Sequence, residues 1–158
     1  MKVHVLRRTQ TVARPLHTVF AFFARPENLE RITPDDLGFT ILTPGPIAMK
    51  AGALIDYTIR LFGVPIRWTT LITTYQPPQC FIDEQLRGPY AFWHHRHMFR
   101  ETGQGTEIID EVHYALRGGV LAPVIHRLFV RRQLEKIFDH RARIIGREFM
   151  QEPVRVAS

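Results

Sequence analysis

Between Leu121 and Phe149 apolar residues recur at steps of three and four: Leu121, Ile125, Leu128, Phe129, Val130, Leu134, Ile137, Phe138, Ile144 and Ile145. That spacing lays a stripe along one side of an α-helix. Pro123 fits only in the first turn, where a missing amide hydrogen costs nothing, and Gly118 and Gly119 break the chain just before it. A helix over residues 121–149 is roughly 40 Å long. It is long enough to cross a sheet of the size this chain can build.

The remaining pattern is mostly strands. Residues 3–13 alternate through Val3, Val5, Arg7, Thr9 and Thr11 and read as a first strand. Pro15 permits a helix start, and Val19, Phe20, Phe22 and Phe23 give residues 15–24 an apolar side. Pro26 ends or restarts that helix, and a second short one follows over 27–32, before Pro34. From Phe39 onward strands are expected over 38–43, 53–62, 65–75, 79–87, 90–101 and 105–117. Glycine- and proline-rich breaks separate them, among them Pro44-Gly45-Pro46, Phe62-Gly63-Val64-Pro65, Gly88-Pro89 and Thr102-Gly103-Gln104-Gly105. Connections this short favour sequential antiparallel hairpins. The expected order is strand, two short helices, six strands and a long helix that acts as the lid of an α+β domain. One domain over residues 1–150 and a loose tail over 151–158 complete the organisation.

Strand alternation then says which side chains face inward. On 90–101 one face carries Trp93, His95, His97 and Phe99; the other carries His94, Arg96, Met98 and Arg100. The more apolar set belongs toward the helix and takes both histidines with it. On 105–117 Asp110 shares a face with Ile108, Val112, Tyr114 and Leu116, which makes it a candidate inward carboxylate. Trp68 with Ile66, Thr70, Ile72 and Thr74, and Tyr57 with Ile55, Ile59 and Leu61, form further inward sets. The parity of 79–87 stays open: Phe81, Asp83, Gln85 and Arg87 oppose Cys80, Ile82, Glu84 and Leu86, and a bulge exchanges the two sets. Uncompensated buried ions are costly, so Asp110, His95, His97 and Asp83 must meet one another or a solvent-filled space. One account is an ordinary core with a satisfied polar network. The other is a cavity, which a strongly curved sheet gripped by a long helix readily leaves.

Composition narrows the partners. The 158 residues include 45% hydrophobic ones, ample for one core, and carry a formal charge of +6. A basic field attracts anionic surfaces and molecules without naming one. Arg127, Arg131, Arg132, Lys136, Arg141, Arg143 and Arg147 outnumber the acids of the last helix; a solvated face is the plain explanation, and weak contact with an anionic membrane is the alternative. Nothing resembles a base-reading or RNA-stacking module, so no nucleic acid is expected. The single Cys80 excludes an internal disulfide and a cysteine-cluster metal site. With no leader pattern and no 18-residue apolar span, a cytoplasmic protein is expected. No phosphate or dinucleotide glycine loop occurs, and no cofactor is expected.

The order of elements resembles the helix-grip fold of the START-like (SRPBCC) superfamily, which includes Bet v 1-like proteins, polyketide cyclases/dehydrases and lipid-transport proteins. The stretches that carry the resemblance to an uncharacterised bacterial ligand-binding-like group are Pro15–Pro26, Asn28–Pro34, Phe81-Ile82-Asp83-Glu84-Gln85, Gly88-Pro89-Tyr90, Trp93-His94-His95-Arg96-His97 and Asp110-Glu111-Val112-His113-Tyr114. The resemblance implies a curved seven-stranded antiparallel sheet, two short helices and a long C-terminal helix over a deep cavity. It also implies recurring polar positions at Asp83, Gln85, Trp93, His95, His97, Asp110 and Tyr114. Relatives of this kind bind hydrophobic molecules, and some catalyse cyclisation or dehydration.

The functional expectation is noncatalytic binding of a small hydrophobic or amphipathic organic ligand, for transport or sequestration. Tyr57, Trp68 and Trp93 supply apolar walls; His95, His97 and Asp110, with Asp83, Gln85 and Tyr114, select a polar end. The enzyme alternative takes His95 or His97 as base, Asp110 orienting an imidazole, and Tyr114 or Gln85 bonding a carbonyl. A peripheral membrane or protein-interaction module is the third reading. Two histidines one residue apart with a nearby carboxylate have the donor types of a zinc or iron site, but the spacing alone assigns no metal.

Overall fold

A computed structural model describes residues 1–150; the expected loose tail at 151–158 lies outside the described residues. The chain runs β1 (His4–Val12), α1 (Leu16–Phe23), α2 (Asn28–Ile32), a 3₁₀ turn (Asp35–Leu37), β2 (Thr40–Ile41), β3 (Leu54–Leu61), β4 (Val64–Gln76), β5 (Cys80–Arg87), β6 (Tyr90–Thr102) and β7 (Gly105–Leu116). A further 3₁₀ turn (Gly119–Leu121), α3 (Ala122–Ile125), a π segment (His126–Val130) and α4 (Arg131–Met150) finish it. The strands form one curved antiparallel sheet in the order β1-β7-β6-β5-β4-β3-β2. Only the β1–β7 pairing is distant in sequence; all other neighbours are consecutive, as short turns require.

Most expected boundaries fall within a residue or two of those observed. β2, expected over 38–43, is trimmed by two residues at each end to Thr40–Ile41; the clear exception is the last helix, expected unbroken over 121–149 and found divided into a 3₁₀ turn, α3, the π segment and α4. The 3₁₀ turn at Asp35–Leu37 is an additional element, capped by Gly38 at φ +49°.

Helix α4 lies across the concave face and buries Leu134, Phe138 and Ile145. Two apolar clusters form beneath it. One joins Leu134 and Phe138 to Trp68, Tyr90, Trp93, Val112 and Tyr114; the other joins Ile145 to Phe20, Phe23, Phe81, Phe99 and Ile108. Polar ties hold the helix at several points: Gln10 Nε2 donates to the Ala142 carbonyl at 2.8 Å, Arg14 Nε donates to the Phe149 carbonyl at 2.8 Å, and Arg31 pairs with Glu148 at 2.6 Å.

The expected apolar stripe is only half buried. Leu121, Ile125, Leu128 and Phe129 are 63%, 40%, 46% and 51% exposed, so the stripe does not extend along the whole stretch. The reason is the π segment. Its i→i+5 bonding admits an extra residue per turn, which rotates everything before it out of phase with Leu134 and Phe138. Phe129 instead meets Phe62, edge to face with centroids 6.1 Å apart, at the exposed tip of the β3–β4 hairpin. Among the described residues no helix is long and apolar enough to cross a membrane.

Candidate functional site

Asp83, His95, His97 and Asp110 meet at the centre of three neighbouring strands. Register explains it: Asp83 on β5 pairs with His95 on β6, and His97 pairs with Asp110 on β7. His95 and His97, two apart, point to the same face. Each imidazole spans both carboxylates. His95 Nε2 lies 3.0 Å from Asp110 Oδ1 and His95 Nδ1 lies 3.3 Å from Asp83 Oδ2. His97 Nε2 lies 2.8 Å from Asp83 Oδ2 and His97 Nδ1 lies 3.0 Å from Asp110 Oδ1. The first and third contacts are aligned hydrogen bonds, whereas His97 Nδ1 is close to its oxygen but off the bond line. The ring centroids are 3.7 Å apart. Phe81 stacks on the outer side of His97 at 4.1 Å, and Trp93 Nε1 donates to Asp83 Oδ1 at 3.3 Å.

Electrostatics splits the two histidines. Burial resists charge on His97, but hydrogen bonds to Asp110 and Asp83 outweigh it and raise its pKa. Burial and the neighbouring His97 charge lower that of His95 despite the same two carboxylates. Burial opposes ionisation of Asp83, yet the attraction of the adjacent His95 and His97 imidazoles and the hydrogen bonds from His97 and Trp93 prevail and hold it low. Burial likewise opposes ionisation of Asp110, and its hydrogen bonds to His95 and His97 pull it well below the ordinary carboxylate range. A proton is therefore held more readily by His97 than by His95, against two carboxylates that stay ionised.

Beside this quartet, between the sheet and α4, lies an internal hydrophobic hollow with two lobes of about 120 Å³ each. Leu29, Tyr57, Trp68, Trp93, His95 and Arg141 line both lobes. Asp83 and His97 border the first lobe, along with Phe23, Met49, Ile55 and Ile72; Phe39, Ile59, Ile137 and Phe138 border the second. Asp110 is not on the wall. It stands behind the histidines, buried to 6% exposure.

The open parity of β5 is thus settled: Phe81 and Asp83 face inward, with register irregularities on β4 opposite this strand between Thr69 and Thr70 and between Ile72 and Thr74. Besides Asp110, two more expected site residues are not brought to the hollow. Gln85 clasps the β5–β6 turn, donating from Nε2 to the Tyr90 carbonyl at 3.0 Å and accepting from Tyr90 N–H at 3.2 Å. Gly88 makes room for it, since a Cβ there would sit 2.4 Å from Gln85 Oε1. Tyr114 packs in the core while its hydroxyl bonds His126 Nε2 at 2.8 Å, tying β7 to the π segment.

Arg141 is the site residue that strand parity could not reveal. Its guanidinium lies over the Phe138 ring at 4.8 Å, and Nε and Nη1 are buried without hydrogen-bond partners; so is Trp68 Nε1. The sequence did hold a signal. Leu134, Phe138, Arg141 and Ile145 are spaced four, three and four apart, so Arg141 occupies the inward stripe.

Known proteins share this fold. A profile of the family described as "Polyketide cyclase / dehydrase and lipid transport" matches residues 12–141, and the chain belongs to that family. Among solved structures it is similar to the Zhui aromatase/cyclase from Streptomyces sp. R1128, with 18% identity, TM-score 0.76 and 99% of each chain covered. It is also similar to a protein from Thermus thermophilus, with 12% identity and TM-score 0.74 over 93% of this chain and 97% of the other. A START superfamily protein from Mycobacterium smegmatis matches at 15% identity and TM-score 0.70, over 94% and 98%. These likenesses define the START-like helix-grip fold. No curated protein matches the chain.

Proposed function

We propose that the chain binds a small amphipathic organic molecule in the hollow, for transport or sequestration, with an oxygen acceptor at the ligand's polar end. The observation that carries this reading is the set of buried, partnerless donors, Trp68 Nε1 and Arg141 Nε and Nη1, on the walls of the hollow. A buried donor left unpaired costs on the order of 1–3 kcal/mol, more when charged, and a ligand oxygen recovers that cost. Size limits the ligand: a cavity of about 150 Å³ takes one benzene, so two adjoining lobes of about 120 Å³ that share six wall residues suit a two-ring compound or a ring with a short chain. Charge limits it further. The Arg141 cation already shares the hollow with the ionised Asp83, and Asp110 stands behind, which favours a neutral carbonyl compound over a further carboxylate. The alternative of a cyclase- or dehydratase-like reaction uses the same hollow, with neutral His95 as the base. The likeness to an aromatase/cyclase brings that alternative here.

Calorimetric titration with a matched pair of ligands tests the binding reading. The bicyclic ketone 1-tetralone should bind one per chain, and tetralin, the same skeleton without oxygen, about tenfold more weakly, the effect of one charge-assisted hydrogen bond. Arg141→Met should erase that preference. Equal affinity for both compounds in the unmodified protein rules out the proposed polar end.

A further inference from the structure

We propose that Asp83, His95 and His97 form a site for a divalent transition metal, zinc or iron(II), open on the hollow, with Asp110 supporting both imidazoles from behind. The ligand atoms are Asp83 Oδ2, His95 Nδ1 and His97 Nε2, and one ligand atom from each of these three residues lies within 4.8 Å of the others. The proposal goes beyond the organic ligand and does not require one.

Counting donors against acceptors carries the argument. Ionised Asp83 and Asp110 can only accept, and a neutral imidazole offers one N–H. Four nitrogen–oxygen contacts of 2.8–3.3 Å surround the two rings. Two neutral rings fill two of them and set lone pair against lone pair in the others. One charged ring leaves a single conflict. Filling all four takes two imidazolium rings with centroids 3.7 Å apart in a buried site, a costly pairing of like charges. A cation at the Asp83 corner removes the conflict altogether. His95 Nδ1 and His97 Nε2 turn their lone pairs to the ion, which replaces the proton between His97 Nε2 and Asp83 Oδ2. The far nitrogens, His95 Nε2 and His97 Nδ1, each 3.0 Å from Asp110 Oδ1, then carry the protons; the His95 bond is already aligned, and the His97 ring has to turn to align its own. A carboxylate that takes the far N–H of metal-bound imidazoles is the usual outer support for such ligands.

The spacing fits. Metal–ligand bonds of about 2.0–2.2 Å in tetrahedral geometry place ligand atoms roughly 3.4 Å apart. His95 Nδ1 and Asp83 Oδ2 are already 3.3 Å apart, and His97 Nε2 at 2.8 Å has to open by roughly half an ångström. Trp93 Nε1 holds the other oxygen of Asp83. The three ligand residues border the hollow and Asp110 does not, so the remaining coordination positions face the cavity. Two histidines and one carboxylate with open positions match the donor preference of zinc and non-haem iron(II).

The test uses the full chain, stripped with a chelator and titrated with cobalt(II) as a spectroscopic probe. One equivalent should bind, with the visible absorption of a low-symmetry four- or five-coordinate ion, and zinc should displace it. X-ray absorption of the cobalt-loaded protein should find two imidazole nitrogens on the metal. Asp83→Asn and His95→Gln, shown folded by circular dichroism, should abolish uptake, and Asp110→Asn should weaken it by roughly 10–100-fold. His94→Ala, on the outer face where His94 meets Glu84 at 2.8 Å, should change nothing. The proposal is overturned if the unmodified protein takes up no cobalt, if fewer than two imidazoles bind it, or if uptake survives in Asp83→Asn or disappears with His94→Ala. Binding of 1-tetralone is read separately, so neither result decides the other.

Discussion

One hydrogen atom decides how β1 and β7 meet at their ends. Gly105 has φ +124°, and a Cβ there would lie 2.1 Å from the Val12 carbonyl oxygen and 2.8 Å from Ala13 Cα. Both obstacles are backbone and cannot swing aside. Gly105→Ala is therefore expected to destabilise the fold by about 1–3 kcal/mol or more, read as a lower urea midpoint; an unchanged midpoint rejects this account of the turn. The central quartet shows what single residues disclose. His95, His97 and Asp110 were legible because strict alternation on β6 and β7 leaves one inward face. Asp83 was not fixed, because the irregularities opposite β5 break alternation where parity had to be read. Gln85 misled for the same reason: it shares parity with Asp83, yet spends both amide groups on the turn. Trp68 and Trp93 could be placed inward, but their orphaned or paired indole nitrogens depend on neighbours no strand pattern specifies.

At the scale of elements, the C-terminal helical stretch does two different jobs. α4 closes the core through Leu134 and Phe138, while the π segment before it presents Leu128 and Phe129 to solvent. Leu134→Ala should cost roughly 2–5 kcal/mol, because 3% exposure leaves a cavity behind. Leu128→Ala should stay within about 0.5 kcal/mol. Comparable losses in urea denaturation would contradict the observed change of helical phase. The helix itself was legible from its three- and four-residue steps. The π segment was not, since the same apolar residues satisfy an uninterrupted helix on paper, and hydrogen-bond type is set by contacts such as Tyr114 with His126. Proline and glycine marked most of the hairpins for a simpler reason: they limit the backbone before any tertiary contact forms.

Across the whole molecule, sheet and helix enclose rather than fill the space between them. Large rings brace it: Trp68 stands edge to face with Trp93 at 5.2 Å and stacks on Tyr57 at 5.8 Å. The quartet lies between the two apolar clusters, and Arg141 reaches in from the lid. Such an arrangement keeps polar groups in a low-dielectric interior, where they discriminate strongly among ligand ends. The sequence contains two tryptophans, and both border the two lobes. Intrinsic fluorescence therefore reports from the hollow alone. Titration with 1-tetralone should change that emission saturably at one equivalent per chain, and a Trp68→Phe, Trp93→Phe double variant should lose the signal. Emission that does not respond, or that falls linearly as for free tryptophan in solution, would contradict a chamber open to small molecules.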